Sequence, residues 1–230
     1  MTIVLAGGSG GLGAATAKLL NREGFELVIS YKSNRERAEK LIGLGRIIVA
    51  DLGAAQDRSA LLDATPSLDG VVVFTGDPVR GLPLEEACRE SFEVNFLGPT
   101  LLAREAADRM RIAGTPGAIV LVSTMQAVSV WSGSTAYASQ KAALIQAARV
   151  LAKECRGKTN IRVNVVCPGV NKAGMAEASI ALGKYERYLQ EDTLSRYGEA
   201  DDVARAVRFF LQPDNYVTGQ VLTVDGGLTL

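Results

Sequence analysis

Short runs of apolar and β-branched residues alternate along the chain with stretches whose apolar positions return every three or four residues. The runs are Ile3 to Ala6, Glu26 to Ser30, Arg46 to Ala50, Gly70 to Phe74, Ala118 to Ser123, Ile161 to Cys167 and Gln220 to Val224. The helix-like stretches between them include Leu12 to Glu23, Arg35 to Ile42, Leu84 to Arg111, Ala136 to Cys155 and Ala200 to Leu211. Strands that are apolar on both faces and separated by helices predict a parallel sheet covered on both sides. The expected fold class is α/β, a doubly wound parallel sheet of about seven strands, with ligands held outside the carboxyl ends of the strands.

No shift of composition and no Pro/Ser-rich linker divides the 230 residues, so 1–230 are read as one domain. Twenty-five basic and twenty-five acidic side chains cancel. No global field then draws the protein to nucleic acid or an anionic membrane, and a small molecule is the expected partner. The chain contains no histidine. That excludes a Ser-His-Asp triad, a histidine base and the usual zinc sites, so proton chemistry falls to Tyr, Lys, Asp, Glu or water and no metal is expected. Cys88, Cys155 and Cys167 are scattered without ligand spacing, which fits reduced thiols in a cytoplasmic protein. The apolar run at the N-terminus is too short for a signal peptide, and no segment approaches the roughly 20 apolar residues of a membrane span.

The first run leads straight into Gly7-Gly8-Ser9-Gly10-Gly11-Leu12-Gly13, with a helix opening near Leu12. Glycines there permit a tight turn and close backbone approach, so a pyrophosphate can sit on free N–H groups at the positive end of the helix. A strand, Gly7-x-x-x-Gly11-x-Gly13 and a helix, in that order, predict dinucleotide binding in a Rossmann-type sheet. Gly7, Ser9, Gly10, Gly11, Leu12 and Gly13 would surround the phosphates. The second run ends in Tyr31-Lys32-Ser33-Asn34-Arg35, with no carboxylate between Val28 and Arg35. An acidic residue there would meet a free ribose 2′-hydroxyl, whereas cations and hydroxyls suit a 2′-phosphate. NADP(H) is favoured on this ground, through Tyr31, Lys32, Ser33 and Asn34, and NAD(H) stays open. Asp51, at the end of the third run and followed by Leu52, either approaches the adenine or caps the next helix.

The run Ile119 to Val122 leads into Ser123-Thr124, and Tyr137 follows thirteen residues after Thr124. Tyr137 and Lys141 share one helix face, a turn apart. A phenol with a pKa of about 10 is a poor acid–base catalyst at neutral pH, and a cation one turn away favours its ionised form. Carbonyl reduction needs a proton donor to oxygen as hydride reaches carbon, and a tyrosine beside a cation supplies that proton or stabilises the alkoxide. Lys141 is therefore expected to lower the phenol pKa and to hold the nicotinamide ribose.

With these motifs together the chain resembles the classical short-chain dehydrogenases/reductases, most of all the 3-oxoacyl-[acyl-carrier-protein] reductase branch, over essentially its full length. The resemblance rests on the glycine loop, Asp51-Leu52, Asn95 in Val94-Asn95-Phe96-Leu97-Gly98, the set Thr124, Tyr137 and Lys141, and Asn164-Val165-Val166-Cys167-Pro168-Gly169. Arg196-Tyr197-Gly198-Glu199 and Thr218-Gly219-Gln220 through Gly226-Gly227 resemble the family's closing signatures. It implies Tyr137 as the catalytic acid–base, Lys141 as its tuner and ribose ligand, and Asn95 as support for a water and proton path to Lys141. Thr124 is implied as the hydroxyl that orients the carbonyl, with Ser123 the alternative, since successive strand residues point to opposite faces. Further cofactor contacts are implied for Asp51, Leu52, Thr75, Gly76, Pro168, Gly169 and Val170. Three positions depart from the family pattern: Val73-Phe74-Thr75-Gly76 replaces Asn-Asn-Ala-Gly, Gly10 replaces a basic residue, and Val170 to Gly174 lack the threonine that reaches the nicotinamide amide. Asn171 or a backbone group would then take that part.

The substrate wall is expected from Asp77 to Leu84, Met125 to Ser134 and a lid around 170–195, with Val128, Trp131, Met175, Tyr185 and Tyr188 making it largely apolar. The activity implied is reduction of a 3-oxoacyl thioester on acyl carrier protein with NADPH. The alternatives are another small ketone or alcohol (a sugar, steroid, quinone or polyketide), or a dinucleotide-binding sensor without turnover. An enoyl reductase fits less well, because in that branch the tyrosine and lysine stand further apart. Arg104, Arg109, Arg111, Arg156 and Lys172 are the cations available to an acidic carrier protein. The family also implies a homo-tetramer or homo-dimer built from the long helices and the C-terminal strand.

Overall fold

The computed structural model describes all of residues 1–230. In chain order the elements are β1 (Thr2–Ala6), α1 (Gly11–Arg22), β2 (Glu26–Tyr31), α2 (Arg35–Glu39), β3 (Arg46–Val49), α3 (Ala55–Asp63), β4 (Gly70–Val73) and α4 (Leu84–Phe92). They continue with α5 (Gly98–Ala113), β5 (Gly117–Val122), α6 (Thr135–Glu154), β6 (Ile161–Pro168), α7 (Glu177–Ala181), α8 (Glu186–Gln190), α9 (Ala200–Leu211) and β7 (Val221–Val224). The seven strands form one parallel sheet in the order β3-β2-β1-β4-β5-β6-β7. No helix is long and apolar enough to cross a membrane.

Each strand sends alternate residues to opposite faces. Val4 and Ala6 join Val71, Val73, Ile119, Leu121, Val163 and Val165 in a core covered by α3, α5 and α6. Ile3 and Leu5 join Val72, Val120 and Val166 against α1 and α9. This double burial is why the strands read as unbroken apolar runs. The chain winds outward from β1 to β3 and then returns, placing β4 on the other side of β1. That reversal opens a crevice between the loops after β1 and β4, the usual ligand position in such sheets.

The hydrophobic pattern misses two local features. Leu84 to Arg111 is helical, but Glu93–Leu97 forms a π-turn between α4 and α5. The extra residue changes the register, as π-turns at functional sites do, and Asn95 on that turn is fully buried. Helix α3 escapes the pattern because its buried apolar residues, Leu61 and Leu62, gather at one end instead of forming a stripe.

Candidate active site

The loop after β1 is built around glycine. Gly7 has φ +69°, a left-handed conformation that glycine adopts without strain. A Cβ on Gly13 would lie 2.6 Å from the Gly8 Cα, so only glycine lets α1 start this close to the loop. Gly10 caps α1 without a side-chain hydrogen bond, and the N–H groups of Gly11, Leu12 and Gly13 find no protein acceptor. A cluster of free donors at a helix N-terminus is an anion site in waiting. Thr75, after β4, packs its methyl group toward Gly7, and its Oγ1 is buried without a partner. The glycine cradle, the uncapped helix and this orphaned hydroxyl fit a dinucleotide. Ser30, which the sequence hides inside a strand, accepts the Gly7 N–H at 3.1 Å and holds the loop.

The ribose end differs from the sequence reading. Lys32 Nζ pairs with Asp51 at 2.7 Å, and that bond holds the Asp51 carboxyl below the usual carboxylate range. Asp51 also accepts the Gly53 N–H at 3.0 Å. It does not cap α3, whose N-cap is Ala54. Asn34 is engaged as well: its side chain accepts the Arg37 N–H at 2.9 Å and caps α2. Exposed ion pairs contribute about 1 kcal/mol or less, so Lys32 can exchange Asp51 for a phosphate at little cost.

Helix α6 carries Tyr137 and Lys141 into the protein, 8% and 2% exposed. Lys141 Nζ donates to the carbonyls of Thr75 at 2.8 Å and Val122 at 3.0 Å. The expectation that Lys141 lowers the phenol pKa is overturned in this arrangement. Desolvation pushes Tyr137 up to about 12, opposed chiefly by a hydrogen bond with Thr124. Burial also pushes Lys141 down to about 7. The ammonium is spent on two backbone carbonyls, and burial outweighs charge at the phenol. Asn95 anchors the same corner: its Oδ1 accepts the Asp77 N–H at 2.9 Å, and its Nδ2 donates to the Asp77 carbonyl and to Ser91 Oγ. Ser91 in turn donates to the Ala136 carbonyl at 2.7 Å, tying α4 to the start of α6. A Cβ on Gly76 would lie 3.0 Å from Lys141 Nζ and 3.2 Å from Asn95 Oδ1. That position therefore tolerates no side chain unless the ammonium moves.

The structure separates Ser123 from Thr124. Ser123 Oγ donates to the Lys141 carbonyl at 2.9 Å, deep between β5 and α6. It does not face the cavity that Thr124 and Tyr137 line. That cavity, of about 560 Å³, is walled by the loops after β4, β5 and β6. Trp131, Met175, Tyr185, Gly169 and Val170 line it. Val128 and Tyr188 do not: Val128 lies in a separate groove beside α6, and Tyr188 meets Trp131 edge-on at 6.3 Å. Asn171 is also absent from the wall, its Nδ2 donating to the Gly169 carbonyl at 2.9 Å. The segment after β6 packs directly on the glycine loop, since a Cβ on Gly11 would lie 2.8 Å from Gly174 N. Of the cations read as available to a carrier protein, Arg104, Arg109, Arg111 and Lys172 pair with Glu154, Asp63, Asp108 and Glu199. Only Arg156 stays without a carboxylate, so the surface offers no free basic patch from this set.

A doubly wound sheet with a glycine cradle at its switch point, and a buried tyrosine–lysine pair beside a cavity, defines an NAD(P)-dependent oxidoreductase of CH–OH and C=O groups. The family model described as Enoyl-(Acyl carrier protein) reductase matches residues 6–229. The 3-oxoacyl-[acyl-carrier-protein] reductase FabG of Rickettsia felis is 30% identical over 240 residues, covering 100% of this chain and 97% of that protein. A short-chain type dehydrogenase/reductase from Mycobacterium ulcerans superposes with a TM-score of 0.89 at 27% identity, covering 99% of this chain and 89% of that one. A 7α-hydroxysteroid dehydrogenase complexed with NADH and 7-oxo glycochenodeoxycholic acid gives a TM-score of 0.88 at 27% identity, covering 98% and 93%. The chain belongs to the short-chain dehydrogenase/reductase family, close to its 3-oxoacyl-[acyl-carrier-protein] reductase branch.

Proposed function

We propose that the protein is an NADPH-dependent reductase of a 3-oxoacyl thioester, carried on acyl carrier protein and converted to the 3-hydroxy form. The observation that carries this reading is the meeting of Thr124 and Tyr137 in one cavity beside the glycine cradle. The names of relatives such as the FabG of Rickettsia felis supply the thioester. The cofactor, bound by the Gly7 to Gly13 loop, the first turn of α1, Thr75 and Lys32, would supply hydride to the carbonyl carbon. Thr124 holds the carbonyl oxygen, and Tyr137 gives that oxygen its proton as the C–H bond forms. With its pKa near 12, Tyr137 is fully protonated at neutral pH. It starts as a donor, which suits reduction better than alcohol oxidation. Lys141 would exchange its carbonyl partners for the ribose, and Asn95 keeps the loop beneath it in place. Residues 170–195 act as the lid over the substrate.

A small ketone such as an oxosteroid, with NADH, is the second reading, favoured by the likeness to the 7α-hydroxysteroid dehydrogenase complex. Purified protein assayed with NADPH and NADH against an acetoacetyl thioester and an oxosteroid separates the two. Thioester reduction with NADPH, abolished in Tyr137→Phe, is the expected result. Cofactor binding without turnover on any carbonyl would leave the dinucleotide sensor instead. A homo-dimer or homo-tetramer fits the exposed Phe92 and Val150 on α4 and α6, and light scattering behind a sizing column reads it directly.

A further inference from the structure

Two cations stand in the wall of the cavity, Arg80 from the loop after β4 and Lys184 from the lid. No Asp or Glu lines that cavity. Neither cation has a carboxylate within ion-pair distance, although twelve other basic residues do. In a chain with equal numbers of acids and bases, two unpaired cations at one opening are a local excess that electrostatics would exploit.

Both side chains are exposed, on backbone that is fixed beneath them. Arg80 follows Val79, whose φ is +48°. A β-branched residue in the left-handed region is strained. The strain is held by the Asp77 carboxylate, which accepts the Val79 N–H at 2.7 Å, and by burial of Val79 against Ala87 and Ala136. Backbone strain of this kind collects at ligand clamps. Lys184 rests over the ring of Tyr185 at 5.7 Å, and Tyr185 is itself buried in the apolar cluster under the lid.

We propose that Arg80 and Lys184 form an anion clamp, so that the substrate carries a carboxylate or phosphate at the end opposite its carbonyl. This rests on the carbonyl-reductase reading of the site and narrows its substrate class. A neutral ketone would leave both cations facing an empty rim. A carboxylate could belong to the acyl chain itself, and a phosphate to the carrier arm of a thioester.

Trp131 is the single tryptophan of the chain and lines the cavity, so its fluorescence reports occupancy without turnover. The test titrates two matched pairs into the NADP⁺-loaded protein: a 3-oxo acid with its methyl ester, and coenzyme A with pantetheine. At low salt the anionic member of at least one pair is expected to bind roughly tenfold more tightly, as for a charge-assisted hydrogen bond. In the double variant Arg80→Gln/Lys184→Gln that preference disappears, while the Kd of the neutral member is unchanged. The pair that shows the preference tells carboxylate from phosphate. Equal binding within both pairs, a preference that survives the double variant, or no response to any of the four probes overturns the clamp. Turnover scores the thioester reading separately: if an oxo acid is preferred and reduced while thioesters are not, that reading fails and the clamp stands.

Discussion

Replacing Lys141 by methionine asks whether an ammonium can be kept charged in this core. The side chain is 2% exposed, and burial pushes its pKa from 10.5 down to about 7. The carbonyls of Thr75 and Val122 oppose that shift by favouring the charged form. If burial wins, the folded protein releases a proton near pH 7 that the unfolded chain keeps until about pH 10.5. The unfolded state then binds more protons across this window, so stability rises with pH from 7 toward 10.5 and is lost as pH falls back through 7. One proton of difference is worth about 1.4 kcal/mol per pH unit. Between pH 7 and 8.5 the folded lysine goes from half-protonated to nearly neutral, which integrates to a rise of about 1.6 kcal/mol. The window has little else in it. The chain has no histidine, and the Cys155 and Cys167 thiols, pushed upward from 9.0 by burial, the latter to about 11, take back a small part of the gain as pH approaches 9. Tyr137, raised from 10.0 to about 12, removes stability only as pH climbs between those values. Urea denaturation at the two pH values reads the effect. The wild-type midpoint is expected to move up, and that of Lys141→Met to stay where it is. A wild-type midpoint that is flat or falls, or a methionine variant that keeps the rise, refutes the reasoning and shows that the two carbonyls hold the charge.

Six further substitutions test the site. Tyr137→Phe removes the proton donor and should lower turnover by about 10²–10⁴-fold while NADP⁺ affinity is retained; reduction at the wild-type rate would end the mechanism. Thr124→Ala should lower kcat/KM with little change in Tm, whereas Ser123→Ala removes a buried hydrogen bond to the Lys141 carbonyl and should cost about 0.5–1.5 kcal/mol of stability; the opposite pattern would assign the orienting hydroxyl to Ser123. Gly13→Ala drives a methyl group to 2.6 Å from the Gly8 backbone, so both Tm and cofactor affinity should drop, and unaltered NADP⁺ binding in a calorimetric titration would contradict the cradle. Lys32→Gln should weaken NADPH relative to NADH by roughly tenfold, and Asp51→Asn, which frees Lys32, should move the ratio the other way; an unchanged ratio in both variants removes Lys32 from the 2′-phosphate site.

Much of the site is legible in the chain because it depends on spacing. Gly7, Gly11 and Gly13 follow an apolar run and open a helical pattern, the context of a strand–turn–helix junction, and Tyr137 and Lys141 stand one helical turn apart. The choice between Ser123 and Thr124 turned on which face of β5 looks into the cavity and which looks into α6. The partners at the ribose end were not legible, because a side chain's neighbours are set on folding: α2 takes Asn34 as its cap, and Asp51 pairs with Lys32 instead of capping α3. Arg104 and Arg109 likewise meet carboxylates that lie far off in sequence, at Glu154 and Asp63.

The alternation of apolar runs and amphipathic stretches was enough to determine the parallel sheet, its two covered faces and the position of the glycine loop. Periodicity is a local property of the chain, and local geometry follows from it. Protonation and pairing were decided only on folding. Lys141 meets a carbonyl 66 residues away at Thr75, and Tyr137 is desolvated by the walls of a cavity drawn from three loops. Charge in a protein answers to the dielectric and the partners around it, and both are assembled from residues far apart in sequence.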